Sequence, residues 1–549
     1  NFKTIDEESA LARRQLMLAK QIIKHIDKNQ KIKLLIAECE KPLTIMSALY
    51  LAHKFDICNQ LDISPLFETS FGLEHGSKII EQLLDQSVFL KYVKKRKRLT
   101  IQTGFSDAGR FMGQIAANMA IERLQLKIIR CLRNKAQDKI KLLFFNTHGE
   151  SFGRGGTQSN IFDRQAFIMT PRVRAEADAL GIELSHQSSF QGGDGYRLFG
   201  SRELAYSTMK ELLRAEISLK NNNDKEDLFY QKTDFSLDLF TELKDWHEKL
   251  LSDPNYEELI TLFDGNLLPV TGSRPSKRNL KTDSSRSGPS KIRAISHNAT
   301  LQQLGFLANV ISGIGHAANI DIEEFIEIYK KSNRLKQCLN IILTTKKLGS
   351  LSTMQAYCQI FDPSFWINQA HRRRSQKNQR ALRTLSNYLQ NFPKFTGTQK
   401  IVLIFKDDLV DLYKLIDRLN QSNIEITNET NETHLDVLHA IRIAVISHSL
   451  ILICKTPKLG ETNLYSNHDI LNFGLSLDLE SVIEIINNTF SNNSQVLWEN
   501  KLIEPETYSR ESAGNIAAIK REILDPLAES ETIIKKITQM ISAMYGAHG

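Results

Sequence analysis

Apolar and polar positions follow two periods along the first 190 residues. Leu11, Leu16, Leu18, Ile22, Ile23 and Ile26 recur at helical spacing and predict a helix over 7–30. The run Lys33-Leu34-Leu35-Ile36-Ala37-Glu38 predicts a buried strand, and 43–54 a helix. Leu61 to Phe67 predicts a second strand, ending at Glu68, and 75–90 a helix. Leu99 to Thr103 predicts a third strand, ending at Ser106-Asp107. A long helix follows, with Ala117, Ile121, Leu124, Ile128 and Leu132 in register. Lys141 to Phe145 predicts a fourth strand, ending at His148, and a fifth signal lies near Ile182-Glu183-Leu184.

Strands and helices that alternate at roughly forty-residue spacing argue for a parallel sheet with crossover helices. The fold class expected is α/β: part of a β/α (TIM-like) barrel, followed by a large, mainly α-helical C-terminal region. A full barrel needs about eight strands, so this chain is expected to lack the first ones. Three divisions follow. Residues 1–270 carry the barrel strands and helices; 271–292, rich in Ser, Gly, Lys and Arg, read as a mobile basic loop; 293–549 read as mainly helical. Lys400-Ile401-Val402-Leu403-Ile404-Phe405 fits either a strand or a buried helix.

Composition narrows the function classes. Hydrophobic residues make up 41% and charged residues 24%, as in globular proteins. The net charge of +8 is mild for 549 residues and fits an enzyme of anionic substrates as well as a weak nucleic-acid binder. Six cysteines, at 39, 58, 131, 338, 358 and 454, form no C-x-x-C pair, so neither a zinc site nor a disulfide framework is expected. The cysteine usage points to a cytoplasmic protein; Asn1-Phe2-Lys3 shows no signal-peptide pattern, and with no initiator Met the natural chain is expected to begin further upstream. The longest apolar runs, such as Ser449 to Cys454, read as too short for a bilayer, and no membrane partner is expected. Lys94 to Arg98 and His371 to Arg374 are dense basic clusters without interleaved aromatics, and read as solvated faces rather than nucleic-acid sites.

The candidate chemistry stands at the strand ends. In a β/α barrel the active site gathers at the carboxyl ends of the strands. Glu68, Asp107 and His148 each occupy that position. Either acid alone fits a helix cap or a surface charge. Together they offer two hard oxygen donors, enough for Mg2+ or Mn2+ when water and substrate complete the shell. His148 is a candidate general base or orienting donor. Gly153, Gly155 and Gly156 allow close backbone approach to an anion, and Arg154 can bind phosphate with two parallel bonds. Arg274 and Arg293 flank the basic loop, which fits either capture of a multiply charged anion or a solvated linker.

The ordered set Pro65-Leu66-Phe67-Glu68-Thr69, Gly104-Phe105-Ser106-Asp107 and His148 to Gly156 resembles phosphoenolpyruvate carboxylase, and the chain is similar to the C-terminal half to two-thirds of a divergent member. Gly272 to Arg278 and Arg293-Ala294-Ile295 continue the resemblance. It implies Glu68 and Asp107 as metal ligands, His148, Arg154 and Arg293 as catalytic residues, and Arg154, Arg274, Arg293 and Arg110 as substrate contacts. It also implies a lyase of carbon dioxide fixation that forms oxaloacetate and phosphate from phosphoenolpyruvate and bicarbonate with Mg2+ (or Mn2+). A homo-oligomer, a tetramer by resemblance, and the missing N-terminal half of the same enzyme would be the partners. The departures are local. The loop His148 to Gly156 is two residues shorter than the family's and carries Glu150; Arg110 stands where Lys is common; Phe190 to Tyr196 is only partly alike; and the chain ends Ala547-His548-Gly549. The alternative reading is a catalytically inactive homologue acting as a regulatory or interaction protein.

Overall fold

The computed structural model describes residue 5 and residues 8–29, 31–135, 139–147, 151–156, 161–188, 198–220, 227–268, 294–392, 394–424, 426, 433–459, 464–490 and 516–546. The loop 271–292, His148, Glu150, Arg274 and Arg293, the segment 190–196 and the terminal Ala547–Gly549 lie outside the described residues. The chain divides into two compact units. The first comprises Asn1–Glu248, Asn309–Leu343 and Leu415–Ile424; the second Lys249–Ala308, Thr344–Lys414 and Glu425–Gly549.

The first unit is built on one parallel sheet of five strands in the order β1-β2-β3-β4-β5. These are β1 (Ile32–Ile36), β2 (Leu61–Phe67), β3 (Arg98–Gly104), β4 (Lys141–Thr147) and β5 (Leu184–Ser188). The sequential order has no switch point, so each strand returns beside its predecessor. Helices fill the connections: α1 (Leu11–His25) precedes β1 and α2 (Pro42–Lys54) follows it. Next come α3 (Ser70–Asp85), α4 (Ser87–Arg96), α5 (Phe105–Met112), α6 (Gln114–Asn134), α7 (Ile161–Ile168) and α8 (Pro171–Ala179). Two predicted helices are therefore each two. The 75–90 stretch breaks at Gln86, whose backbone is extended. The helix after Asp107 breaks at Gly113, whose φ of +76° lies in the region glycine favours.

The two faces of the sheet differ in kind. Register places Leu99, Ile101, Leu142, Phe144, Ile63 and Phe67 on one face, all buried. Helices α3 and α6 cover it, and Gly76 of α3 sits so close to Phe67 and Leu124 that a Cβ would meet both at 3.0 Å. The other face carries Lys33, Asp62, Ser64, Thr100 and Gln102, of which the last four are buried. Lys33 Nζ lies 5.3 Å from the Phe145 ring centroid, although β1 and β4 are three positions apart. A flat sheet would separate those strands by about 14 Å, so this face is the concave one.

Asp62 also explains part of the basic cluster at 94–98. Arg96 Nε donates to its Oδ1 at 2.7 Å, and Arg98 pairs with its Oδ2. The two arginines thus neutralise a buried carboxylate instead of forming a solvated face; a buried charge is held only when paired. Burial, with Arg98 beside it, also lowers the Lys33 ammonium below its ordinary value.

A second buried network ties segment 309–343 into this unit. The Glu122 carboxylate of α6 accepts from Thr170 Oγ1 at 2.5 Å and Tyr230 Oη at 2.6 Å, and pairs with Arg334 at 3.2 Å. All three Glu122 partners arrive from elements distant in sequence, so none of this was readable from local pattern.

The second unit is helical. Lys400 to Phe405 lies inside the helix Lys394–Gln421, which resolves the strand-or-helix ambiguity in favour of helix. The helix Thr433–Ile453 corrects the estimate of apolar length: by length and composition it is long enough to cross a membrane. At its middle, however, Arg442 is fully buried within this unit. Its guanidinium donates to Tyr357 Oη (2.8 Å), the Gln303 side-chain and backbone oxygens (2.5 Å each) and Thr538 Oγ1 (2.9 Å).

His247, in the helix Thr233–Ser252, is 5% exposed and donates from Nε2 to the Ser312 carbonyl at 3.1 Å. It packs so tightly on Gly113 that a Cβ there would fall 2.2 Å from the ring. Burial pushes His247 down from 6.5 to about 4. Above pH 6.5 both folded and unfolded states hold it neutral; below, the unfolded chain takes the proton first. Stability should therefore fall as pH drops from 6.5 to 4, by about 3 kcal/mol for this group. Urea unfolding across that range should show the loss, and His247→Gln should remove it. Gly113→Ala should destabilise by about 2–5 kcal/mol at any pH, from strained φ and overpacking.

Candidate active site

The site is assembled on the turn that leaves β3. Gly104 ends the strand and caps α5, and Asp107 follows in the first helical turn, where a carboxylate is favoured by the helix dipole. Register sets Glu68, the residue after β2, beside Gly104. A Cβ on Gly104 would lie 2.8 Å from Glu68 Cβ and 3.4 Å from its Oε2. The missing side chain is thus what lets the Glu68 carboxylate lie over the end of β3. On its other side, the Glu38 backbone N–H at the end of β1 donates to Glu68 Oε1 at 3.3 Å. Glu38 adopts a left-handed φ of 50°, uncommon without glycine, and that turn aims the amide.

The same turn gathers the cations. Arg110 is buried, and its Nη2 pairs with Asp107 Oδ1 at 2.9 Å, one helical turn away. From there it orients the carboxylate and neutralises part of its charge. Arg154 Nε donates to Ser106 Oγ at 3.1 Å, so its guanidinium is anchored next to Asp107. Glu68 therefore lies over the end of β3, and Asp107, Arg110 and Arg154 gather at residues 106–110 that follow it. The donor chemistry of Glu68 and Asp107 is hard oxygen only, which suits Mg2+ or Mn2+ with water completing the shell. Among the described residues no group of three or more His, Cys, Asp or Glu is placed to hold a metal.

The Gly-rich turn is held by a residue that carried no signal in the sequence. Ser151 C=O accepts from Arg154 N–H (3.0 Å) and Gly156 N–H (2.9 Å), and Gly155 has a left-handed φ of 84°. The fully buried Gln114 amide clamps this turn to α6. Oriented by its partners, its nitrogen donates to Gly153 C=O at 3.0 Å and its oxygen accepts from Gly155 N–H at 3.1 Å. Gly109 leaves room for the clamp: a Cβ there would fall 2.6 Å from the amide and 3.0 Å from Gly153 O. A Gln at the start of a helix is unremarkable locally; only the fold puts it under the turn.

Residues 7–170 match the family described as phosphoenolpyruvate carboxylase. The chain is also similar to curated proteins of that name. It is 27% identical to one from Corynebacterium efficiens over 224 residues, covering 40% of this chain and 23% of that protein. With one from Acinetobacter baylyi the identity is 24% over 296 residues, covering 53% and 30%. With one from Xanthomonas campestris it is 26% over 226 residues, covering 40% and 23%. The aligned part of this chain spans about a quarter of the length of these relatives.

Gln114→Leu keeps the volume but leaves the Gly153 carbonyl and the Gly155 N–H without their partner. Amide hydrogen exchange at Gly155 should accelerate by about tenfold to a hundredfold, with unchanged circular dichroism. An unaltered exchange rate would remove Gln114 from the account of the turn.

Proposed function

We propose, from the premise that through residues 7–170 this chain is a member of the phosphoenolpyruvate carboxylase family, that it supplies the metal-binding and anion-binding end of such an enzyme. The reaction would join phosphoenolpyruvate and bicarbonate to give oxaloacetate and phosphate. One observation carries this: Glu68 lies over the carboxyl end of β3, and Asp107 and the Ser106-tethered Arg154 stand on the turn that follows it. The sequential strand order and the polar concave face support a barrel arc, the remaining strands coming from an N-terminal half. A homo-oligomer, tetrameric by resemblance, in the cytoplasm belongs to the same reading.

Glu68 and Asp107 would hold the Mg2+ or Mn2+. When bound, the ion would neutralise charge on the substrate phosphate and carboxylate. Glu38, through its N–H, and Gly104, through its missing side chain, fix Glu68. Arg110 fixes Asp107. Arg154, tethered to Ser106, would bring its positive charge to the substrate phosphate, and the Gln114 clamp keeps the glycine backbone beside it in place. His148 is assigned the general-base role, and Arg274 and Arg293 the remaining substrate charge.

One feature favours the catalytically inactive alternative: Asp107 already spends an oxygen on the buried Arg110. Metal binding separates the two. Calorimetric titration of the complete protein with Mn2+ should give saturable binding that Asp107→Ala abolishes. In a bicarbonate-dependent oxaloacetate assay, Glu68→Gln and Asp107→Asn should each cut turnover by about a hundredfold or more with the fold intact. Absent Mn2+ binding and absent oxaloacetate would establish the inactive homologue.

A further inference from the structure

Outside the strand ends, the first unit carries a cleft between α2 and α4 with a volume of about 650 Å³. That is within the usual size range of small-molecule sites. Its walls are apolar: Met46, Leu49 and Tyr50 from α2 face Val88 and Tyr92 from α4. Tyr50 and Val88 are 67% and 61% exposed, a large apolar surface to leave in water. The Tyr92 hydroxyl is turned inward, donating to Leu61 C=O and accepting from Ile63 N–H, both at 2.8 Å, so the cleft receives its ring.

The polar end has a definite sign. Lys91 and Lys95 stand one turn apart on α4, both exposed, and make no ion pair among the described residues. Arg96 is committed to Asp62 and the Asn59 carbonyl. Asp56 is the one acid of the lining. Cys58 marks the floor, with Sγ 3.7 Å from His53 Nδ1 and 3.8 Å from Leu49 O. Burial and the Asp56 carboxylate raise the Cys58 thiol above its ordinary value, while the nearby Lys95 charge acts in the opposite direction. An apolar body with two free ammonium groups at its mouth matches a ligand of the opposite design.

We propose that this cleft binds an amphipathic anion: an acyl or aromatic body lying between Tyr50, Val88 and Tyr92, with a carboxylate or phosphate head on Lys91 and Lys95. The site is independent of the strand-end carboxylates and of the reaction assigned to them.

The test uses the complete protein, with dodecanoate as the probe and dodecanol as its uncharged counterpart. Modification of Cys58 by N-ethylmaleimide is followed by peptide mass mapping. Dodecanoate should slow it severalfold, while dodecanol at equal concentration should not. Lys91→Glu with Lys95→Glu, two exposed helix positions, should weaken the protection by dodecanoate about tenfold without moving the thermal unfolding midpoint. Equal protection by dodecanol would overturn the anionic assignment. Lack of protection by dodecanoate would overturn the site. A Cys58 already shielded in the absence of probe would mean that a segment of the longer protein fills the cleft, and would overturn the proposal as well.

Discussion

Close approach of backbone at two glycines is the constraint on which the candidate site depends. Gly104 has no side chain, so Glu68 can lean across the end of β3. Gly109 has none, so the Gln114 amide can reach the turn at 153–155. A methyl group at either position would fall inside van der Waals contact with the residue it now admits. The carboxylates and the arginine are therefore placed by what is missing between them, as much as by hydrogen bonds. Only afterwards do the Glu38 amide, Arg110 and Ser106 fix the orientation of each group.

The rest of the first unit holds that turn in position. One face of the sheet is mainly apolar and lies under α3 and α6, with Gln125 of α6 reaching Asn146 at its strand-end side. The concave face is polar, and its charges are neutralised locally, as with Asp62 between Arg96 and Arg98. Buried polar side chains on a strand cost free energy unless partnered. The other face holds buried polar groups too, Thr103 and Asn146, which are hydrogen-bonded to each other. The network around Glu122 works in the same way at a distance from the site. Its carboxylate joins α6 to Thr170, Tyr230 and Arg334, and breaking one partner of such a buried group costs far more than an exposed pair contributes.

The lysine-lined cleft between α2 and α4 stands on the outer, helical side of the sheet, whereas Glu68 and Asp107 stand at the strand ends. Ligand binding in such a cleft would act on α2, which precedes β2, and on α4, whose Tyr92 hydroxyl bonds the β2 backbone; Glu68 directly follows that strand. Any coupling between the two places would have to run through β2 and its neighbours.

The sequence by itself determined the strands whose apolar runs were dense, and with them the positions of Glu68 and Asp107 at strand ends. Burial of a strand writes its pattern into neighbouring residues, so such elements are legible locally. β5 was faint because Leu184-Ser185-His186-Gln187-Ser188 is mostly polar. The breaks at Gln86 and Gly113 were missed because a helical period can continue across a single extended or left-handed residue. Lys400 to Phe405 stayed ambiguous for a related reason: five apolar residues in a row, Ile401 to Phe405, fit a buried strand and a buried helix alike. Tertiary structure alone decided that Arg96 and Arg98 turn onto Asp62, that Glu68 lies against Gly104, and that Gln114 lies beneath the glycine turn. Each of these is a contact between residues whose local pattern is silent about the other. Period reports how far a residue is buried, but only the folded backbone decides against what.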